Sequence, residues 1–329
     1  MRHKKVYGRL APSPTGYIHL GNAWAFLLAW LAARSQKGVL ILRIEDIDAQ
    51  RSRAEFAAAL LEDLRWLGID WDYGPDTKNA EGANTPYEQS KRTPFYEEAL
   101  DRLSATGMTY PCFCTRKELR LLASAPHDED AGAPYPGTCR ALTGAQQKKL
   151  FQSGRKAAVR LRCPDAPVVF HDAVQGAQRR CLPDCGGDFA LRRSDGVIAY
   201  QLATTVDDAL MGITQVVRGR DILLSTPRQI ALFNLLGYTA PMYAHIPLLK
   251  DRNGERLAKR HKSLALRTLR SQGVDNRRIV GLLGHYAGLN PAGHPCRPQE
   301  LLAGFSLERL PKTDITVTDK NLHDLLLRS

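Results

Sequence analysis

An alternation of short apolar strands and helices at the start of the chain restricts the possible folds more than any other sequence feature. A predicted strand over 6–10 breaks at the sequence APSPTG, and an apolar segment of helical length follows over 23–33. A continuous apolar run, VLILRI, begins after Gly38 and ends in Glu45 and Asp46. The pattern predicts a doubly wound parallel sheet of the α/β class.

Two further helices continue this pattern. Ser52 and Glu55 have the spacing of a capping box, and the apolar stripe that follows them at helical period stops at Gly68. A second helix is predicted to start at Pro94 and to end near Gly107. Helices between strands of this kind cover the faces of a parallel sheet.

The character of the sequence changes between 110 and 188, where six of the seven cysteines and many prolines occur. Strand and helix patterns return in the sequence that follows. We therefore expect the first half of a catalytic domain over 1–109, an insertion over 110–188, the second half over 189–250, and a basic loop with a helical region over 251–329.

The chain carries a net charge of +12, and the segment 251–278 has nine Lys or Arg residues against three acidic ones. This charge favours a polyanionic partner, tRNA or DNA, although solubility alone would also account for it. No apolar run approaches the roughly 20 residues that span a bilayer, and the N-terminus has no apolar signal core. We expect a cytoplasmic protein without a membrane partner.

Two loops are candidates for phosphate binding. The first, APSPTGYIHLGNA, places glycines, His19 and Asn22 where a strand leads into the N-terminus of a helix, a position that attracts phosphate. The second, GERLAKRHK over 254–262, is basic and could neutralise charge on a transferring phosphoryl group. Taken separately, the first could be an ordinary turn and the second an ordinary surface loop.

In this order, the two loops resemble the paired signatures of class I aminoacyl-tRNA synthetases. The sequence HLGN at 19–22 is similar to the His-Ile-Gly-His signature, and RLAKR at 256–260 is similar to Lys-Met-Ser-Lys-Ser. The segments LRIEDID, YQLATTVDDALMGITQVVRGRD, STPRQIALFNLLGY and YAHIPLLK resemble glutamyl-tRNA synthetases in family order. The resemblance implies a Rossmann catalytic domain that activates glutamate with ATP.

The resemblance also implies a glutamate site. Arg9 and Arg218 would bind the side-chain carboxylate of the substrate, since a guanidinium can contact both of its oxygens. Glu45 would hold the substrate ammonium with help from Tyr200. The complete implied set is Arg9, Ala11, Ser13, Glu45, Tyr200 and Arg218.

For ATP, the resemblance implies binding by His19, Gly21 and Lys259, and catalysis by His19, Asn22 and Lys259 with Mg²⁺ on the phosphates. Asn22 stands where many class I enzymes have a second histidine. Ala258 replaces the signature serine, whereas Lys259 keeps the charge.

In two features the chain resembles a truncated branch of this family, whose members attach glutamate to the queuosine of tRNA(Asp). Only 68 residues follow His261, too few for the helical anticodon-binding region of a full glutamyl-tRNA synthetase. The second is a cysteine set that matches the branch's structural Zn²⁺ ligands: Cys112, Cys114, Tyr135 and Cys139. Cys163, Cys181 and Cys185 are a rival ligand set by spacing, and we assign them no role.

Three other functions remain open. A shortened glutamyl-tRNA synthetase would charge tRNA(Glu), and a degenerate paralogue would bind tRNA without catalysis. A ligase acting on a small molecule would use the same adenylation chemistry, but it would not need the basic segment over 251–278. The preferred partners are L-glutamate, ATP and queuosine-containing tRNA(Asp), and not DNA.

Overall fold

The computed structural model describes residues 5–77, 85–115, 117–119, 135–257, 264–318 and 320–321. Within them the helices are α1 (Leu20–Arg34), α2 (Ala54–Trp66), α3 (Thr93–Ala105), α4 (Gly144–Gln152), α5 (Tyr200–Leu210), α6 (Thr226–Leu235), α7 (Leu266–Ser271) and α8 (Asn276–Tyr286). The strands are β1 (Tyr7–Leu10), β2 (Val39–Leu42), β3 (Thr109–Cys112), β4 (Ala158–Leu161), β5 (Val168–Asp172), β6 (Gly176–Arg180), β7 (Ala190–Arg192), β8 (Gln215–Gly219), β9 (Met242–Ile246), β10 (Leu249–Lys250) and β11 (Ile315–Thr316).

Parallel strands form the centre of the fold. β1 pairs with β2 and β8 pairs with β9, both in parallel. The two pairs lie side by side, because the backbone N–H of Tyr7 donates to Thr214 Oγ1 and that of Thr214 donates to the Tyr7 carbonyl, each at 2.9 Å. α1 connects β1 to β2 and is buried along most of its surface, as expected of a helix that is apolar all round. The predicted strand-helix-strand opening is confirmed.

The insertion contains an antiparallel sheet with the strand order β3-β4-β7. The hairpin β5–β6 behaves differently, since β5 pairs in parallel with β9 through Asp172 and Tyr243 and extends the main sheet. Strands within the expected insertion, 110–188, are therefore shared between two sheets. The domain boundaries remain a prediction.

The start of α2 differs from the expectation. The predicted capping box of Ser52 and Glu55 is wrong, because the helix begins one residue later and its N-cap is Arg53, without a side-chain hydrogen bond. The Ser52 backbone N–H, which the box would pair with Glu55, donates instead to the carbonyl of Asp48 at 3.0 Å. The loop that precedes the helix thus supplies the hydrogen-bond acceptor that Glu55 was predicted to provide.

The C-terminal helices pack onto the same core as α1 and α2. Leu269 of α7 and Leu283 of α8 are buried in a cluster that also contains Trp24 and Leu64. None of the described helices combines the length and apolar character needed to cross a bilayer. The region after the parallel sheet therefore completes the core that α1 and α2 begin.

Candidate active site

A small cavity lies at the carboxyl edge of the parallel strands. Its lining includes Arg9 from β1, Glu45 just after β2, Arg218 from β8, Tyr200 at the start of α5, and Ala11. These residues meet because parallel strands end at the same edge, where open α/β sheets bind their ligands. The cavity measures about 110 Å³, far below the ~300 Å³ at which drug-sized pockets begin. It is sized for a small substrate.

Ser13 is the one member of the predicted glutamate set that does not line this cavity. It is exposed and borders a larger neighbouring cavity of about 400 Å³. Glu45 and Tyr200 line both cavities, so the two spaces adjoin at these side chains. Ser13 therefore lies beside the smaller cavity and not in its lining.

Arg218 is 5% exposed and is held by two directed hydrogen bonds. Its Nε donates to His245 Nε2 at 3.0 Å, and its Nη2 donates to Thr226 Oγ1 at 2.7 Å. The guanidinium also lies 5.3 Å from the ring centroid of Tyr243. Among the described residues, its Nη1 is buried without a hydrogen-bond partner. A buried donor without a partner, on a side chain that lines a cavity, fits an anionic ligand.

Arg43, which is fully buried, links the other charges of the cavity. It donates from Nη1 to Asp208 Oδ1 at 2.7 Å and from Nη2 to Glu45 Oε1 at 3.0 Å. Asp208 in turn lies 3.3 Å from Arg9 Nε. Burial raises the pKa of Glu45, against the opposing charges of Arg43 and Arg9. For Asp208, the same burial is outweighed by Arg43 and Arg9, so its pKa is lowered.

A second buried carboxylate, Asp207, supports this arrangement. It accepts hydrogen bonds from Arg92 Nε at 2.6 Å, from Gln89 Nε2 at 2.8 Å and from Tyr96 Oη at 2.9 Å. Arg43 Nε lies 3.5 Å from the same carboxylate. Asp207 and Asp208 are adjacent residues of α5, so one turn of this helix supplies two carboxylates that contact Arg43.

His19 is the N-cap of α1. Its Nδ1 accepts from the backbone N–H of Asn22, and the Asn22 side-chain oxygen accepts from the backbone N–H of His19, both at 3.3 Å. Burial lowers the pKa of His19 to about 4, so the ring is neutral at pH 7. With Nδ1 used as an acceptor, the proton is on Nε2, which is left to donate to a ligand.

The predicted catalytic Lys259 lies outside the described residues, as does the rest of the segment 258–263. The residues that follow this segment are anchored to the first loop, because Ala265 forms an antiparallel bridge with His19. Leu264 is buried in the same core as α1. The described backbone that follows the basic loop therefore lies beside the backbone of His19.

Three cysteines form a group suited to a metal ion. The sulfurs of Cys112, Cys114 and Cys139 all lie within 4.8 Å of one another, and the Cys114 and Cys139 sulfurs are 3.6 Å apart. Tyr135 Oη lies 3.4 Å from the Cys112 sulfur. Two sulfurs bound to tetrahedral Zn²⁺ at ~2.3 Å would be ~3.8 Å apart, so the three thiols fit zinc. The Tyr135 hydroxyl also accepts from the Cys139 backbone N–H at 2.8 Å.

The rival cysteine set does not converge. Within the described ranges, Cys163, Cys181 and Cys185 form no such group of three ligand atoms, and all three are free thiols. Cys163 donates to the Gly187 carbonyl at 3.0 Å, which occupies its sulfur in a local contact.

Comparison with known protein families identifies the family of this chain. Residues 5–323 match the family described as "tRNA synthetases class I (E and Q), catalytic domain". The chain belongs to this class I synthetase family. Its α/β fold is that of the catalytic domain, as the resemblance implied.

Two relatives in this family are similar over nearly their whole length. A glutamyl-Q tRNA(Asp) synthetase from Nitratidesulfovibrio vulgaris is 54% identical and covers 98% of each chain. Another, from Symbiobacterium thermophilum, is 48% identical and covers 94% of this chain and 95% of that protein. The crystal structure of a glutamate-tRNA synthetase from Elizabethkingia anophelis superimposes with a TM-score of 0.81 at 25% identity. That alignment covers 97% of this chain but only 69% of the larger enzyme.

Sequence reasoning named Arg9, Glu45 and Arg218, which line the small cavity, but it missed the residues that hold them. Arg43, Asp207 and Asp208 lie in segments that carried the resemblance, yet they were given no role. The available signal was charge inside elements expected to be buried, since Arg43 follows VLIL and the two aspartates follow ATTV. Asp172 and His245 are two further buried titratable residues within strands, and they were also given no role.

Proposed function

We propose that this chain activates L-glutamate with ATP to form glutamyl-adenylate and then transfers glutamate to the queuosine of tRNA(Asp). The observation that carries the proposal is the cavity in which Arg9 and Arg218 face Glu45. Glutamate presents a side-chain carboxylate and an ammonium, and this cavity offers a partner for each. Because tRNA is the second substrate, we place the activity in the cytoplasm.

In the proposed complex, the side-chain carboxylate of glutamate lies against Arg9 and Arg218. Arg218 Nη1, which has no hydrogen-bond partner among the described residues, is the donor that this carboxylate would engage. The substrate ammonium lies against Glu45, with the Tyr200 hydroxyl beside it and the Ala11 backbone along one side. Glutamine would leave the guanidinium facing an uncharged amide, and this difference excludes it.

Class I synthetases use ATP, and the first loop is the proposed phosphate site. One oxygen of the glutamate α-carboxylate attacks the α-phosphorus, a new P–O bond forms, and the bond to the bridging oxygen of pyrophosphate breaks. His19 Nε2–H, Asn22 and the Gly21 backbone would stabilise the charge that develops. Lys259 would act from the basic loop, and Mg²⁺ would neutralise the phosphates. Each group binds charge and none has to carry a proton.

In the second step, a hydroxyl of the acceptor attacks the carbonyl carbon of the adenylate. The bond from this carbon to the phosphate oxygen breaks, and AMP leaves with the hydroxyl proton taken up by its phosphate. The two glutamyl-Q tRNA(Asp) synthetases, matched over almost their entire length, support queuosine as the source of that hydroxyl. The larger glutamate-tRNA synthetase, of which the chain spans 69%, supports tRNA(Glu) as the alternative acceptor.

The test supplies radiolabelled glutamate and ATP with queuosine-containing tRNA(Asp), unmodified tRNA(Asp) and tRNA(Glu). We expect incorporation only with the first, and we expect glutamate-dependent exchange of pyrophosphate into ATP without any tRNA. Charging of tRNA(Glu) instead would identify tRNA(Glu), and not queuosine-containing tRNA(Asp), as the acceptor. Exchange no higher than that of a Lys259→Ala variant would favour a tRNA-binding paralogue without catalysis.

We also propose that Cys112, Cys114 and Cys139 bind one structural Zn²⁺, with Tyr135 as the fourth ligand. The cation would join β3 to the loop that carries Cys139. Arg160 supports the group, because its guanidinium lies 3.9 Å from the ring centroid of Tyr135. The zinc would stabilise the insertion and take no part in the reaction.

Cys139→Ser should abolish stoichiometric zinc binding, because a structural site needs its thiolates in place. Metal content of the purified protein is the measurement, and wild type should contain about one zinc per chain. Cys181→Ser is the matched control and should keep its zinc. Loss of zinc in the control and its retention in Cys139→Ser would assign the ion to the rival cysteine set.

A further inference from the structure

Asp172 and His245 form a fully buried pair behind Arg218. Both side chains are 0% exposed, and Asp172 Oδ2 lies 2.5 Å from His245 Nδ1. Asp172 is itself fixed, since its Oδ1 accepts from the backbone N–H groups of Val174, Gln175 and His245 at 2.9 to 3.0 Å. A carboxylate, an imidazole and a guanidinium therefore form a continuous line that ends at the cavity.

The hydrogen bonds determine the tautomer of His245. Arg218 Nε can only donate, so the His245 Nε2 atom at 3.0 Å must be an unprotonated acceptor. The ring proton is then on Nδ1 and is donated to Asp172. Burial lowers the pKa of His245 to about 4, although Asp172 acts in the opposite direction. Because of this low pKa, the ring is neutral at pH 7.

Thr226 closes a ring with the same two side chains. Its Oγ1 accepts from Arg218 Nη2 at 2.7 Å and lies 3.0 Å from His245 Nε2. The aromatic ring of Tyr243 stacks on His245 at 6.1 Å and lies under the Arg218 guanidinium. Two of the three guanidinium nitrogens are thus fixed by the protein, and Nη1 remains for the ligand.

We propose that Asp172 and His245 are positioning residues that determine the amino-acid specificity of the site. Asp172 fixes His245 as the Nδ1–H tautomer, and the lone pair on Nε2 fixes the plane of the Arg218 guanidinium. The inference rests on the proposed function, because it assigns the side-chain carboxylate of glutamate to the remaining Nη1 donor. A protonated Nε2 would instead place two donors against each other and turn the guanidinium away from the cavity.

The test compares two substitutions at His245. His245→Gln keeps an acceptor oxygen near the position of Nε2, whereas His245→Leu keeps a similar volume without any acceptor. We expect the KM for glutamate to rise on the order of 10- to 100-fold in His245→Leu, the range for losing a hydrogen bond to a charged group. His245→Gln should stay within about 3-fold of wild type, since its hydrogen bond is retained. The preference for glutamate over glutamine should fall with the rise in KM.

A general loss of structure would affect all substrates, so the KM for ATP and kcat at saturating glutamate are measured in the same variants. Both should stay within about 3-fold of wild type. If His245→Leu binds glutamate with wild-type KM and selectivity, or if both variants lose glutamate equally, the inference is overturned.

A measurement on the wild-type protein removes dependence on these variants. Nitrogen-15 NMR of the histidine rings reports which nitrogen carries the proton, and His245 should appear as the neutral Nδ1–H tautomer at pH 7. Asp172→Asn should shift the proton towards Nε2 and raise the glutamate KM. A wild-type Nε2–H tautomer would refute the inference. Absence of glutamate activation in wild type, with the Nδ1–H tautomer present, would refute the proposed function instead.

Discussion

Replacing Arg218 by methionine should lower kcat/KM for glutamate activation by roughly 10²- to 10³-fold, the equivalent of ~3–4 kcal/mol. Methionine keeps an unbranched apolar side chain at this position but removes the charge and the Nη1 donor. The substrate carboxylate would then be buried beside Arg9 alone, and Arg9 already shares its charge with Asp208. Pyrophosphate exchange at varied glutamate concentration is the measurement.

Arg179→Met is the matched control for this variant. Arg179 is exposed on β6, at the edge of the sheet that also contains Arg218, so the same loss of charge occurs away from the cavity. The control should keep wild-type kcat/KM for glutamate, while Arg218→Met should also lose most of its preference for glutamate over glutamine. Equal kcat/KM in the two variants would remove Arg218 from the substrate site.

Local patterns were sufficient to predict the frame of the molecule. The run VLIL predicted β2, and Pro94 predicted the start of α3, because these elements depend on residues close in sequence. The resemblance then placed Arg9, Glu45 and Arg218, and parallel strands brought them to one edge. The resemblance likewise identified the cysteines within 112–139 that converge.

The residues that sequence reasoning missed are held by distant partners. Arg43 and Asp208 are 165 positions apart, and Asp172 and His245 are 73 apart. A buried charge has to be paired, so a charged residue in an element expected to be buried indicates that it has a partner. Only the tertiary fold, which places β5 beside β9 and Arg43 beside Asp208 of α5, decides which partner it is. The capping box failed for a different, local reason, since the Asp48 carbonyl in the loop before α2 accepts from the Ser52 backbone N–H.

The buried network makes Arg43 the residue whose loss should destabilise the fold most. Arg43→Met should lower the free energy of unfolding by about 3–5 kcal/mol, because Asp208 and Glu45 would lose a buried counterion. The cost arises from the stranded carboxylates and not from lost packing, since methionine fills similar space. Urea denaturation at pH 7 measures it as a lower midpoint at an unchanged slope.

The control for Arg43→Met is Arg53→Met, at a pair that is mostly in solvent. The side chains of Arg53 and Glu55 are 70% and 59% exposed, and such pairs contribute at most about 1 kcal/mol. Adding Asp208→Asn to Arg43→Met should restore part of the stability, because it removes one of the stranded charges. A further loss in the double variant, or an Arg43→Met protein as stable as the control, would mean that this network does not hold the fold together. Partial recovery would tie the stability of the sheet to the same charges that orient Arg9 and Glu45 towards the substrate.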